Sequence, residues 1–199
     1  MRFEVAGNQE NPSDADLVRT VRAGNRTAYG VLVDRHLPSV YAVVARIVCN
    51  AADAEDLTQE TFLRAFERLH LHETRYSFRN WLLKMATNLA LNHLRSRRRE
   101  RNIHLRVAEA NTDGSATSHA NDEVPGSSDW DYWLDQLDGS QRAAIVLFHF
   151  QEMSYAQIAE VMETPVNTVR TQLHRGRKRL RELMTLRTKA ENGLWSVAS

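Results

Sequence analysis

The sequence predicts an all-α protein in which two small helical domains are joined by a flexible polar linker. Its 8 glycines and 4 prolines among 199 residues are too few for the frequent turns of a β-sandwich or barrel. Hydrophobic residues make up 42% of the chain, which suffices for packed cores, and they recur at helical spacing. At roughly 150 residues per domain, the length allows two small domains. The second of these is predicted to be a helix-turn-helix.

The first domain is predicted over residues 1–101 and begins with two helices. Ser13 is expected to cap the first helix, because acids follow it in the first turn, and Gly24-Asn25 ends it. In the second helix, apolar and aromatic side chains recur every three or four residues, which indicates a core-facing stripe. The proline after Leu37 lies inside this stripe and predicts a kink or a break there.

Two more helices complete the predicted first domain. Asp53 and the acids after it begin the third helix, where negative charge is favoured by the helix dipole. The fourth helix is predicted from about Phe78 to Arg101 and passes from apolar to arginine-rich. Its inward-facing residues are predicted to be Trp81, Met85 and Leu89, with Leu82 as a further candidate.

A polar segment and a second helical domain follow. Residues 102–128 turn polar and small, which predicts a linker. Residues 129–188 form the second domain, and residues 189–199 form a tail to which no role is assigned. The residues at core spacing in the first helix of this domain are Trp130, Trp133, Leu134 and Leu137.

The end of the second domain has the pattern of a helix-turn-helix. Ser154 and Gln157 form a capping box that starts a short helix, and Thr164-Pro165 starts another with proline at its first position. The residues of this last helix that are predicted to face inward are Val166, Val169 and Leu173. Its opposite face carries Arg170, Thr171, His174, Arg175 and Lys178. Such a basic face fits the major groove of DNA, although an ordinary helical hairpin is the plain alternative.

The formal net charge of +1 conceals two basic blocks separated by an acidic stretch. Residues 95–106 contain six arginines, and residues 166–189 contain eight lysines and arginines. Residues 107–141 contain eight acids and neither lysine nor arginine. A single basic cluster would fit a solvated helix end equally well, but two clusters in separate domains favour a nucleic-acid partner.

Three motifs make the chain resemble bacterial sigma factors of the extracytoplasmic function (ECF) group, in the sigma-70 family. They are DAEDLTQETF at residues 53–62, WLLKMATN at residues 81–88 and SYAQIAEVM at residues 154–162. The resemblance covers roughly residues 14–184. It implies a non-enzymatic subunit that binds core RNA polymerase (β′ clamp and β subunits), recognises the −10 and −35 elements of promoter DNA and promotes strand opening. It also implies control by an anti-sigma factor.

The resemblance assigns residues to three surfaces. The polymerase surface comprises Asp53, Asp56, Gln59, Glu60 and Leu63. The −10 surface comprises Lys84, Asn88, Asn92, Arg95 and Arg98. In the loop before it, residues 71–77, Tyr76 or His72 is expected to stack on an extruded base. The −35 surface comprises Arg170, Thr171, His174, Arg175 and Lys178. Without the family, the acidic patch would fit a helix-dipole cap with a solvated face, and the two asparagines would fit solvent-facing positions.

The chain departs from the family pattern at three places. Asn167 and Gly176 stand where the family usually has Gly and Ala, and Asp138-Gly139 stands where it often has Leu-Pro. Asn is tolerated at a helix start, whereas glycine inside a helix costs about 1 kcal/mol relative to alanine. The predicted linker has 27 residues. It reaches about 90 Å when fully extended, which is about two and a half turns of DNA, but only about 30 Å as a flexible coil. The linker must therefore be stretched to let the two domains read two promoter elements at once.

Other functions fit parts of this pattern. A regulator that binds DNA without polymerase needs the recognition helix but no acidic docking helix, and a decoy that titrates a partner needs no basic recognition helix. An enzyme is disfavoured, because the sequence has no phosphate loop, paired-histidine metal motif or nucleophile beside a base, and no cofactor or metal is expected. The sequence contains no run of about 18 uncharged apolar residues, which is the pattern that would indicate membrane insertion. The expected location is the bacterial cytoplasm, where an anti-sigma factor is one means of holding the protein at the membrane.

Overall fold

The structure, a computed structural model, describes residues 12–73, 76–110 and 129–195, with side chains for all of these except 104–110, 129, 131 and 187–195. Over these residues the regular structure is helical, with a 3₁₀ turn at Leu69–Leu71, which confirms the predicted all-α fold class. The α-helices, in chain order, are α1 Asp14–Arg22, α2 Thr27–Val48, α3 Ala51–Glu67, α4 Phe78–Ala110, α5 Asp129–Asp135, α6 Gly139–His149, α7 Tyr155–Val161 and α8 Val166–Trp195.

Helices α1 to α4 form the first helical group, in which α2 packs against each of the other three. Leu32, Val40 and Ile47 of α2 are almost fully buried. The helix continues through Pro38, so the predicted break does not occur. A proline inside a helix costs about 3 kcal/mol or more. Burial offsets this cost, because each fully buried Val, Leu or Ile side chain contributes about 1.5–3 kcal/mol and such residues lie on both sides of the proline.

Side-chain caps start α1 and α3. The Ser13 hydroxyl accepts a hydrogen bond from the backbone N–H of Asp16, which confirms the predicted cap. The Asn50 side chain accepts one from the N–H of Asp53 at 2.9 Å, so α3 begins two residues earlier than predicted. Cys49, between α2 and α3, has φ +53°, the left-handed conformation in which many helices end.

Helix α4 differs from the prediction in length and in its buried face. It runs to Ala110 rather than Arg101, so the segment predicted to be linker from Asn102 begins as helix. The physical reason is that no glycine or proline interrupts residues 78–113. The buried face is shifted because α4 packs against both α2 and α3. Its buried apolar residues are Phe78, Leu82, Leu83, Ala86, Ala90 and Leu91, with Trp81, Met85 and Leu89 partly buried beside them.

Helices α5 to α8 form the second helical group. The residues of α5 and its following turn that are buried as predicted are Trp133, Leu134 and Leu137. Trp130 is 45% exposed instead, with its ring edge against Phe150. The predicted capping box starts α7, because Ser154 accepts a hydrogen bond from the N–H of Gln157 and donates its own N–H to the Gln157 side chain.

Helix α8 is the predicted recognition helix, and it continues to Trp195, beyond the domain end predicted at residue 188. It begins one residue later than predicted, at Val166, because the Pro165 carbonyl accepts the first backbone hydrogen bonds. Val166 is 36% exposed rather than buried, since it lies in the first turn beside the helix-turn-helix loop. The buried residues of α8 include Val169, Leu173 and Leu180.

The two helical groups are in contact through α2 and α4 on one side and α5, α6 and α7 on the other. Ser39 on α2 donates a hydrogen bond to Gln151 Oε1 at 2.9 Å. The Arg46 guanidinium lies 4.6 Å from the centre of the Phe150 ring. Residues 111–128, which hold most of the predicted linker, are outside the described residues, so the flexibility of the linker stays a prediction.

Candidate nucleic-acid interface

The −35 surface lies on one side of α8. All five of its predicted residues are exposed, because positions i, i+1, i+4, i+5 and i+8 share a helix face. The opposite side packs Val169 and Leu173 into the core. Thr171 Oγ1 donates to the backbone carbonyl of Asn167 at 2.9 Å, and the Arg170 guanidinium lies 3.5 Å from the Asn167 side-chain oxygen. The five predicted side chains are thus held together on one helix.

Gly176 allows this helix to approach α6 closely. A Cβ added at this position would lie 3.2 Å from Ile145 Cγ1 and 3.3 Å from Ile145 Cδ1, which is closer than the usual carbon–carbon separation of about 3.5–4.0 Å. Ile145 is 1% exposed and has little room to move. From the sequence alone, Gly176 is expected only to lower the stability of the helix. The structure shows that this glycine allows α8 to pack closely against α6.

The −10 surface follows several turns of α4. Asn92, Arg95 and Arg98 are exposed, and Arg95 donates a hydrogen bond to Asn92 Oδ1 at 3.0 Å. Lys84 and Asn88, nearer the start of the helix, are only partly exposed. The five predicted residues share a face of α4, but the part of this face nearest the start of the helix is covered.

Glu163 is the residue that covers Lys84 and Asn88. It lies in the turn between α7 and α8, in the second helical group. One carboxylate oxygen lies 3.0 Å from Lys84 Nζ, and the other accepts a hydrogen bond from Asn88 Nδ2 at 3.3 Å. Sequence reasoning missed this contact, because a single glutamate in a turn carries no periodic signal and its partner Asn88 is 75 residues away.

The two residues predicted as candidates for stacking on an extruded base differ in exposure. His72 is 3% exposed, with its ring centre 5.5 Å from that of Phe78 and 5.0 Å from that of Trp81. Burial lowers the pKa of the His72 side chain, and the nearby Arg22 lowers it further. The structure therefore contradicts a stacking role for His72, whereas Tyr76 is 55% exposed. Two residues of this loop lie outside the described ranges.

The polymerase surface on α3 presents an apolar side chain among polar ones. Asp56 and Gln59 are exposed, and Leu63 is 66% exposed one turn further along. Glu60 pairs with Arg64 at 2.5 Å, one turn away on the same helix. An exposed leucine beside acids suits a partner that supplies both apolar and basic groups.

Asp53 differs from the rest of the polymerase surface, because it is engaged within its own helical group. Its carboxylate accepts a hydrogen bond from Arg97 at 2.5 Å and lies 3.1 Å from His93 Nε2. Its backbone N–H donates to the Asn50 cap. With a side chain only 25% exposed, Asp53 fixes the start of α3 against α4.

Among the described residues, no three His, Cys, Asp or Glu side chains are grouped so that they could hold a metal ion. Within those same ranges, no helix is long and apolar enough to cross a bilayer. The Cys49 sulfur accepts a hydrogen bond from Arg142 Nη1 at 3.0 Å.

Comparison with known proteins matches both helical groups to one family. Residues 32–100 match Sigma-70 region 2, and residues 131–180 match Sigma-70, region 4. The chain is 29% identical over 174 residues to the ECF RNA polymerase sigma factor SigW of Bacillus subtilis (strain 168), which covers 83% of this chain and 93% of that protein. It is 32% identical over 166 residues to the RNA polymerase sigma factor CarQ of Myxococcus xanthus, which covers 82% of this chain and 92% of that protein.

Two solved structures are also similar to the chain. CnrH, solved in complex with the cytosolic domain of CnrY, matches with a TM-score of 0.64 and 26% identity over 87% of this chain and 97% of that chain. The sigma factor RpoE from Bartonella quintana, solved with the anti-sigma factor NepR, shares the fold, with a TM-score of 0.60 and 24% identity over 79% of this chain and 96% of that chain. The family matches, the full-length relatives and the shared fold all agree, and the chain belongs to the ECF group of the sigma-70 family of RNA polymerase sigma factors.

Proposed function

We propose that this sigma factor binds core RNA polymerase through α3, reads the −10 element with α4 and reads the −35 element with α8. Sigma factors are transcription initiation factors and not enzymes. The observation that carries the proposal is the presence of two basic surfaces on two long helices, one in each helical group. Two linked DNA-binding surfaces reach a useful affinity for a promoter even when each surface binds weakly alone.

The −35 surface has the chemistry of a major-groove reader. Arg170 and Arg175 offer guanidinium groups that match the O6 and N7 acceptors of guanine. Thr171 and His174 lie between them on the exposed face and add further hydrogen-bonding groups. Lys178, two turns after Arg170, suits a phosphate, which positions the helix without reading sequence.

The −10 surface has the chemistry of a reader of separated strands. The amides of Asn88 and Asn92 both donate and accept, so they can pair with base edges that strand opening exposes. The cationic residues that would hold backbone phosphates are Lys84, Arg95 and Arg98. Tyr76, exposed before the start of α4, supplies an aromatic face for an unstacked base.

The polymerase surface combines charged side chains with an exposed apolar side chain. Asp56 and Glu60 would pair with basic residues of the β′ clamp, and Gln59 would add a hydrogen bond. Leu63 would be buried on docking, which favours binding in proportion to the apolar area removed from water. Asp53 contributes by holding α3 in position, because its carboxylate already contacts Arg97 and His93.

We assign residues 1–101 and the remainder of α4 to polymerase binding and the −10 element, and residues 129–188 to the −35 element. The protein would act in the cytoplasm, where an anti-sigma factor would control it and could hold it at the membrane. RpoE was solved with an anti-sigma factor, and CnrH with the cytosolic domain of CnrY, which supports such a partner.

Size-exclusion chromatography with bacterial core RNA polymerase tests this function. The wild-type chain should co-elute with the enzyme, and Asp56→Arg should abolish co-elution by reversing a charge in the docking surface. Asp34→Arg is the matched control, because Asp34 is an exposed acid on α2 and undergoes the same charge change. A wild-type chain that fails to co-elute where a known sigma factor does would refute the proposal and favour a DNA-binding regulator that works without polymerase.

A further inference from the structure

We propose that Glu163 acts as an internal inhibitor of the −10 surface in the free protein. Its carboxylate occupies Lys84 and Asn88 in place of DNA, and it leaves them when the two helical groups separate. The inference rests on the proposed function, because it takes Lys84 and Asn88 as DNA-contacting residues. It adds a residue in the second helical group that controls their exposure.

The contact imitates the chemistry of the proposed ligand. Lys84 Nζ lies 3.0 Å from one Glu163 oxygen, as it would from a phosphate oxygen. Asn88 Nδ2 donates to the other oxygen at 3.3 Å, as it would to an acceptor on a base edge. While both donors face the carboxylate, neither is free to bind a nucleotide in the same place.

The geometry of this contact is incompatible with reading both promoter elements. By their designations, the −10 and −35 elements lie about 25 base pairs apart, which is roughly 85 Å at 3.4 Å per base pair. Glu163 contacts α4 and lies only seven residues before Arg170, a separation of at most about 25 Å even for a fully extended chain. In the arrangement described here, the −10 and −35 surfaces are therefore far too close together to span the two elements. Promoter reading requires the Glu163 contact to break.

The backbone at Glu163 provides a second observation. Its φ is +51°, in the left-handed region that non-glycine residues seldom occupy. Glycine is the residue that fits such a turn without strain. Glu163 ends α7 in the left-handed conformation that Cys49 and Glu152 also adopt, so Glu163→Gly preserves the turn while it removes the carboxylate that contacts α4.

The contact is also weak enough to be reversible. The Lys84 and Glu163 side chains are 36% and 59% exposed, so water and salt can compete for both. Arg142, by contrast, is 5% exposed and joins α6 to the end of α2 from within the core. Removing the Glu163 carboxylate should therefore unmask Lys84 and Asn88 without unfolding either helical group.

The test measures binding of the full-length chain to a fluorescent single-stranded DNA 12-mer of random sequence, by fluorescence anisotropy at low salt. Phosphate contacts do not depend on sequence, so no promoter needs to be known. Glu163→Gln should bind about two- to five-fold more tightly than the wild type, the range expected for releasing a partly exposed ion pair. Glu160→Gln is the matched control, because Glu160 is exposed on α7 and loses the same charge. Its gain should be clearly smaller.

A double-mutant cycle with Lys84→Gln identifies the target of the inhibition. Glu163→Gln should lose most of its effect in the Lys84→Gln background. Glu163→Gly should bind DNA like Glu163→Gln and also raise the unfolding temperature, which excludes partial unfolding as the cause of tighter binding.

The outcomes separate this inference from the function on which it rests. If Glu163→Gln binds no more tightly than Glu160→Gln, or gains equally without Lys84, the inhibitory role is refuted. The −10 assignment survives that result provided that Lys84→Gln still weakens DNA binding in the Glu163→Gln background. If Lys84→Gln has no effect there, the −10 role of Lys84 fails, and the inhibitory role fails with it.

Discussion

The Nη1 atom of Arg142, on α6, donates a 2.8 Å hydrogen bond to the backbone carbonyl of Ile47, in the last turn of α2. The same guanidinium donates from Nη2 to the carbonyls of Asp135 at 2.9 Å and Leu137 at 3.2 Å. The last carbonyls of a helix lack partners within the helix and carry a partial negative charge. A single buried cation therefore satisfies the end of α2 and the turn before α6 together.

Replacing Arg142 by methionine should lower the free energy of unfolding by about 1.5–3 kcal/mol, because buried carbonyls lose a charged donor. Arg142→Lys should recover only part of this, since one ammonium group cannot reproduce the guanidinium fork. Arg99→Met is the control, because Arg99 is exposed on α4 and should change stability by less than about 0.5 kcal/mol. Urea denaturation measures all three variants. Equal losses for Arg142→Met and Arg99→Met would contradict the anchoring role.

Substitutions at two aspartates of the polymerase surface should have different effects, one on protein stability and the other on polymerase binding. Asp53→Asn should cost about 1 kcal/mol of unfolding free energy, because its carboxylate pairs with Arg97 and lies in the first turn of α3. Asp56→Asn should leave stability within about 0.5 kcal/mol and weaken core polymerase binding instead. Chemical denaturation and a polymerase titration on the same two proteins decide the matter. The division fails if Asp53→Asn weakens polymerase binding as strongly as Asp56→Asn while keeping full stability.

The sequence predicts the features that depend on neighbours along the chain. The exposed face of α8 follows from helical spacing, and the caps at Ser13 and Ser154 follow from hydrogen bonds three residues long. It does not predict the contacts of Glu163 with Lys84 and Asn88, or the contact of Arg142 with Ile47, because these partners lie in the other helical group and no local pattern indicates how the groups dock. The sequence also assigned Asp53 to a partner's surface, whereas the fold uses it between α3 and α4, because its partner Arg97 lies 44 residues away along the chain.

A substitution at Gly176 shows whether helix packing or intrinsic helix propensity has the larger effect on stability at this position. In an isolated helix, Gly176→Ala would gain about 1 kcal/mol. In the folded protein the new methyl group would contact Ile145 too closely, and overpacking of a core costs about 1–3 kcal/mol. The substitution should therefore lower the free energy of unfolding. Ile145→Val removes one of the two contacting atoms, so Gly176→Ala should be better tolerated in that background. A double-mutant cycle by thermal denaturation measures the coupling, and additive effects would contradict the close approach of α8 to α6.

The buried ring of His72 should make the first helical group less stable in mild acid. Burial beside Phe78 and Trp81, and then the charge of Arg22, lower the pKa of His72 below its usual value of about 6.5. In the pH range just below that value, the unfolded chain binds a proton that the folded chain does not. The contribution of His72 is therefore fully present above about pH 6.5 and is lost as the pH falls toward the folded-state pKa, by at most about 1.4 kcal/mol per pH unit.

Urea denaturation at pH 7.5 and pH 5.5 measures this dependence. His72→Phe keeps an aromatic ring in the pocket and should cost less than about 1.5 kcal/mol at pH 7.5, while making the difference between the two pH values smaller. Some dependence should remain, because burial and Arg177 also lower the pKa of His149. A His72→Phe protein with the full wild-type loss at pH 5.5 would show that other groups bind the proton on unfolding.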